Sequence, residues 1–210
     1  MSYDWSSITS AAYMALLEQN AHEFPIPSDK IKCKGVKISS FQNYAKITGL
    51  SIEEIKLGNV LEDAFLLKLP KRIPLILFDA DKSAARVKHS IWHEIGHVKL
   101  NHKKHGKDEE VEAHFFAAQA NAPNILIKNI SERGYTIDAS FLKDCFGLSE
   151  ESANKKKEYL SKYGFMHLNE YDDFILNMFS EYINAKYPLK TKHYYDEYFD
   201  EKEQERLNWH

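Results

Sequence analysis

His93, Glu94 and His97 form a His-Glu-x-x-His run. Residues four apart on a helix project from one face, so His93 and His97 can hold one zinc ion between their imidazoles. Glu94, beside the first imidazole, can take a proton from an attacking water. Residue types in this pattern point to metal-assisted hydrolysis. Catalytic zinc ordinarily takes three protein ligands and leaves one position open. The third ligand is expected from the acidic run Asp108, Glu109, Glu110, Glu112. Glu109 and Glu112 are the first candidates, with Asp108 and Glu110 behind them. Acids at a helix start also suit its positive dipole end, so charge alone does not choose between them.

The elements around these residues can be read from periodicity and punctuation. A helix is expected from Trp5 to Ala21, ended by Pro25 and Pro27. A second runs from Ser40 to Ile47 and stops at Gly49, and a third starts at Ser51 with a Ser51/Glu54 capping box. Ala64–Leu69 and Ile73–Phe78 read as two strands of a small antiparallel sheet, with Pro74 placing the second at an edge. Asp79 and Asp81 are candidate caps for a helix from Ser83 to Leu100. Its apolar stripe is Ala84, Val87, Ile91, Ile95 and Val98, with Lys88 and Lys99 on the solvated side. Gly96 leaves room for close approach of another element. A polar loop, Asn101 to Lys107, leads to a helix that starts near Asp108 and stops before Pro123. Ile137 to Tyr163 reads as helix, turn, helix, with Ser149 as cap after Gly147. The acidic end, Asp196 to Glu205, is expected to fray.

The fold class is therefore α+β, mostly helical, with a small antiparallel sheet beside the His-Glu-x-x-His helix. The expected division is 1–128, holding the metal helix, the sheet and the N-terminal helices, and 129–210, a helical module resembling a helix-turn-helix. The chain has 210 residues, 43% of them hydrophobic, enough to bury a core without disulfides or structural metals. A net charge of −3 demands neither nucleic acid nor a membrane surface. Two distant cysteines, Cys33 and Cys145, and the lack of a signal-peptide pattern or a long apolar run fit a cytoplasmic protein with no membrane partner.

His93-Glu94-Ile95-Gly96-His97-Val98-Lys99-Leu100-Asn101-His102, followed by Glu112-Ala113-His114-Phe115-Phe116-Ala117-Ala118 and Pro123, resembles the ImmA/IrrE family of metallopeptidases. In that family a strand precedes the metal helix, and a second helix carries Glu-Ala-Asn-x-Phe-Ala-Ala and closes on Leu-Met-Pro. Phe146-Gly147-Leu148-Ser149 resembles the family's Phe-Gly-Val-Ser turn. The resemblance spans about Leu66 to Gly164. It implies zinc (Zn2+) held by His93, His97 and Glu112, with Glu94 as catalytic base and Glu109 as the fallback ligand. It also implies a protein substrate, a helix-turn-helix repressor of a mobile element or stress circuit. His114 departs from the usual Asn or Asp, and Ala120-Asn121-Ala122 from the usual Leu-Leu-Met. With Glu112 as ligand, His114 two residues on points away from the metal. His89 reads as a packed or solvated residue. His102 and His105 are loop residues available to substrate, and Tyr159, Tyr163, Tyr171 and Tyr182 are candidate hydrogen-bond donors to the reacting carbonyl.

Two rival readings are a regulator that binds protein or DNA without hydrolysis and a structural zinc domain. Neither requires a base at Glu94. Direct DNA binding is not expected, because the second helix of the module opens on Glu150 and Glu151 and its lysines come later.

Overall fold

The computed structural model describes residues 3–56, 62–68, 71–103, 106–165, 169–190 and 202–206. Helix α1 (Trp5–Leu17) is capped by Asp4, whose carboxylate accepts from the Ser7 amide, and ends one turn before the predicted Ala21. After it the Gln19 side chain bridges to the backbone of Lys32, tying a loop to the helix end. Strand β1 (Lys37–Ser40) leads directly into α2 (Phe41–Thr48), whose C-cap Gly49 takes the left-handed conformation at φ 76°. The Ser51/Glu54 capping box forms as expected and opens the short helix α3 (Ile52–Ile55).

Strands β2 (Ala64–Leu67) and β3 (Leu75–Phe78) pair antiparallel, with Leu66 opposite Ile76. The predicted pair is present, but Leu69 and Pro70, between the strands, fall outside the described residues. The sheet is mixed rather than purely antiparallel: β1 joins β3 in parallel and the order is β1-β3-β2. So β3 is central, not an edge. Pro74 does no harm there because it precedes the strand, and its carbonyl accepts from the Lys37 amide at 2.9 Å. The continuous apolar run Leu75-Ile76-Leu77-Phe78 suits a strand covered on both faces.

Helix α4 (Ala84–Lys99) crosses beside the sheet and packs along α5 (Lys107–Asn121). Its N-cap is Ser83, not Asp79 or Asp81; Asp79 instead pairs with Lys56 at 2.9 Å. Val87, Ile91 and Ile95 are buried as expected, and Lys88 is buried with them rather than on the solvated side. Lys88 lies one turn from Ile91 on the same stripe. Its ammonium donates to the Phe146 carbonyl at the end of α7, and burial lowers its pKa to about 8. Gly96 is the point of close approach: a Cβ there would meet the Phe116 ring at 3.2 Å and the Ala113 Cα at 3.3 Å.

The chain continues through α6 (Asn124–Glu132), α7 (Ala139–Phe146), α8 (Glu150–Tyr163) and α9 (Asp172–Lys186). Gly147, at φ 62°, and the Ser149 cap form the predicted turn between α7 and α8. One buried cluster runs from Ile8 on α1 through Ile91, Ile95, Phe116 and Phe146 to Ile183 and Tyr187, so residues on both sides of position 128 share it. Most of the acidic end lies outside the described residues; Lys202–Arg206 is helical and exposed.

Candidate metal centre

Both ring nitrogens expected of a metal pair face one point. His93 Nε2 and His97 Nε2 are 3.1 Å apart, with the rings set edge to face. The acid that meets them is Glu110. Its Oε2 is 3.1 Å from His93 Nε2 and its Oε1 is 3.3 Å from His97 Nε2. A tetrahedral site with bonds of about 2.0–2.1 Å separates neighbouring ligand atoms by roughly 3.3 Å. The three groups thus match the edge lengths and the donor types of a zinc site, and the residues present fit the ion that the sequence pattern implies.

The expected third ligand, Glu112, is one step removed. Its Oε2 lies 3.0 Å from His102 Nε2, and His102 Nδ1 lies 2.9 Å from His97 Nδ1. Helical geometry accounts for the difference. Two residues along a helix turn about 200°, so Glu110 and Glu112 leave α5 on opposite sides and only one can face His93. The Glu112–His102–His97 chain instead holds the His97 ring from behind, the arrangement that orients a metal-binding imidazole. His102 is therefore spent on His97 rather than left to the substrate; His105 lies outside the described residues. Asp108 accepts from the Tyr3 hydroxyl at 2.7 Å, and the fallback Glu109 lies against Gly106 at the helix start.

With Glu110 at the site, His114 four residues on shares its face. Its ring centroid is 4.3 Å from that of His93, and ligand atoms of His93, Glu110 and His114 lie within 4.8 Å of one another. The His93–His97–Glu110 set is tighter, so His114 flanks the centre rather than completing it. His89, one turn before His93, stacks on His114, with Nε2 to Nδ1 at 3.4 Å. Burial lowers the pKa of both rings, to about 4 for His89, where the His114 and Lys155 charges add to the shift; at His114 the Glu110 charge opposes it and Lys155 adds to it.

Glu94 is buried at 6% exposure and lines the same cavity as His93, His97 and Glu110. Burial pushes its carboxyl up to about 8; the nearby Glu62 and Glu110 charges add to the shift and the Leu66 backbone amide opposes it. The cavity, about 1120 Å³, is bounded on one side by β2 and α4 and on the other by α5 and α8. Of the four tyrosines considered as donors, Tyr159 lines it; the Tyr182 hydroxyl is turned to the Phe24 carbonyl. The second helix of the predicted helix-turn-helix is thus a wall of this cleft. Lys155 pairs with Glu151, and Lys156 is buried at 6% exposure. Sequence reasoning ranks Glu110 behind Glu109 and Glu112 and does not single out Lys156. The signals were the Glu110/His114 spacing, which repeats that of His93/His97, and the Ala153/Lys156/Leu160 stripe on α8.

Among the described residues no helix is long and apolar enough to cross a membrane. No curated protein and no solved structure is matched by the chain. Residues 45–158, from the second half of α2 to the middle of α8, match the Peptidase M78 family, described as the IrrE N-terminal-like domain. A histidine pair and a glutamate on two crossed helices, with a second glutamate beside them in a cleft, accord with that match: the chain belongs to the IrrE N-terminal-like, Peptidase M78 family and carries its metallopeptidase-type domain.

Proposed function

We propose that this protein is a zinc-dependent endopeptidase that cleaves a regulatory protein, a helix-turn-helix repressor, in the cytoplasm. The observation that carries the reading is the mutual approach, at 3.1–3.3 Å, of His93 Nε2, His97 Nε2 and the Glu110 carboxylate in a cleft that also holds Glu94. His93, His97 and Glu110 would hold the metal, which supplies Lewis acidity toward the scissile carbonyl. Glu94 accepts a proton from the attacking water and delivers it to the leaving nitrogen. His102 and Glu112 fix the His97 ring. The repressor substrate follows from the family resemblance.

Metal analysis of the full-length protein should find about one zinc per chain, lost in His97→Ala. Glu94→Gln should keep the zinc and lose cleavage of a helix-turn-helix repressor that the wild type cleaves, since an amide cannot take the proton. Wild-type protein without zinc sinks the metal centre. Undiminished cleavage by Glu94→Gln sinks the mechanism. Equal degradation of repressor and unfolded casein sinks the substrate.

A further inference from the structure

Lys156 sits in the middle of α8 at 6% exposure, and its ammonium is fully enclosed. Among the described residues it has no hydrogen-bond partner. It also lines the cavity that holds His93, Glu94 and Glu110. Lys88 shows how this protein otherwise buries a lysine: its ammonium is equally hidden but donates to the Phe146 carbonyl, and so serves the fold. Lys156 serves no such contact. A buried charge without a partner is costly unless something binds it, and the usual structural outcome is replacement by an apolar residue or acquisition of an acid.

The acids around the cleft do not supply that partner. Glu151 is taken by Lys155, Glu150 by Lys143, and Asp63 by Arg86 and Lys82. Glu110 lies on the imidazole pair, and although Glu62 and Glu94 also line the cavity, no acid's charge contributes at Lys156, whose shift comes from burial alone. Neutral residues also line the cavity: Gln119, Asn121 and Tyr159, together with the apolar Leu148 and Phe115. Asn121 Oδ1 is also buried without a partner, although its Nδ2 donates to the Ala117 carbonyl at 2.9 Å. Burial alone moves the Lys156 ammonium down to about 7, so an anion arriving beside it would restore a charge that the empty cleft suppresses.

We propose that Lys156 anchors a carboxylate of the bound peptide, either an Asp or Glu side chain near the scissile bond or a free C-terminus. The proposal rests on this cavity being the peptide cleft of a metallopeptidase. In that cleft α4 and α5 present the reacting groups, and α8 contributes two lysines, of which Lys155 is paired with Glu151 and Lys156 has no partner among the described residues. An extended peptide lying between β2 and α8 would be held in register by a charge-assisted contact in a water-poor recess, where such contacts are strongest. The helix that resembles a nucleic-acid reader would then read the substrate of the enzyme.

The test measures binding of fluorescein-labelled hexapeptides to the full-length zinc-loaded Glu94→Gln protein, which retains substrate without turnover. The peptides are alanine-based, with Glu or Gln moved through each position, and each is made with a free or an amidated C-terminus. We expect one position, or the free terminus, to favour the acid by about tenfold or more, the scale of a charge-assisted hydrogen bond. Lys156→Met in the same background should abolish that preference and leave the Gln and amide peptides bound as before. Which peptide loses its advantage separates a side-chain carboxylate from a terminal one. Equal binding of acid and amide peptides by the lysine-bearing protein overturns the proposal without any appeal to the variant. So does a preference that survives in Lys156→Met, or the absence of binding by every peptide. Hydrolysis is scored separately on wild type. Cleavage without acid preference leaves the peptidase and removes the role of Lys156. Acid preference without cleavage of any peptide or of the repressor does the reverse.

Discussion

Lys156→Met should stabilise the protein, and the gain should depend on pH in a way that identifies its source. The ammonium is held at a pKa of about 7 by burial, against about 10.4 in an unfolded chain. Between these values the unfolded chain binds more protons than the native one, so wild-type stability rises with pH across that window. Below about 7 both states carry the proton and the native state bears the full penalty; above about 10.4 neither does and the penalty is gone. A shift of some 3.4 units at about 1.36 kcal/mol each gives a penalty on the order of 4–5 kcal/mol below the window, about 4 at pH 7 and about 1 at pH 10. Methionine has nearly the same length and carries no charge, so the variant should exceed wild type by about these amounts at the two pH values. Lys88 and the buried Tyr13 also titrate differently in the folded state, but both are common to the two proteins and cancel in the difference. Urea unfolding of both proteins, without peptide, from pH 6.5 to 10 is the measurement. A variant no more stable than wild type, or a gain that stays constant over that range, would refute the claim that an uncompensated ammonium sits in α8.

Two further outcomes follow from the metal centre. Glu110→Gln should lower zinc affinity by more than about 100-fold, while Glu112→Gln, acting through His102, should cost about 10- to 100-fold; competition with a chromophoric chelator reads both, and the reverse order would return the ligand to Glu112. Gly96→Ala gains about 1 kcal/mol of helix propensity but pushes against the Phe116 ring at 3.2 Å and the Ala113 Cα at 3.3 Å. Its melting temperature should therefore move by only a few degrees while zinc affinity falls, because α5 carries Glu110; unchanged affinity would show that the helix pair can spread without disturbing the site.

The difference between Glu112 and Glu110 shows where sequence reading stopped. The His93/His97 spacing, the Ser51 and Ser149 caps and the two glycine turns are local features, and each has a local physical cause. The rotation of α5 about its axis is not local. Its buried stripe is Ala113, Phe116, Ala117 and Ala120, and Glu110 and Glu112 lie on opposite shoulders of that stripe. Periodicity finds the stripe but not which shoulder faces α4; the contact of Phe116 and Ala113 with Gly96 decides that. Lys88 and Lys156 escaped for another reason. Each occupies a core position of its helix, but residue type alone points Lys88 to the solvated side and gives no reason to bury Lys156. Strand β1 was missed because Lys37-Ile38-Ser39-Ser40 is short and largely polar, and it gains its place from β3 rather than from its own composition.

The segment that matches the family and the segment that folds are different lengths of chain. The match begins within α2 and ends within α8. Yet α1 packs on α5, and its buried face is Ile8, Ala12, Tyr13 and Leu16. The Tyr13 hydroxyl accepts from the Ile125 amide at 3.3 Å and so fixes the start of α6. Helix α9 in turn packs on α1 and α6. A fragment trimmed to 45–158 would keep every proposed metal ligand and lose the braces behind them, leaving the apolar back of α5 in water. For anyone transplanting this active site, or shuffling it with a relative, the unit to move is the whole stretch from α1 to α9. Its outer helices carry none of the proposed metal ligands yet are indispensable as ballast.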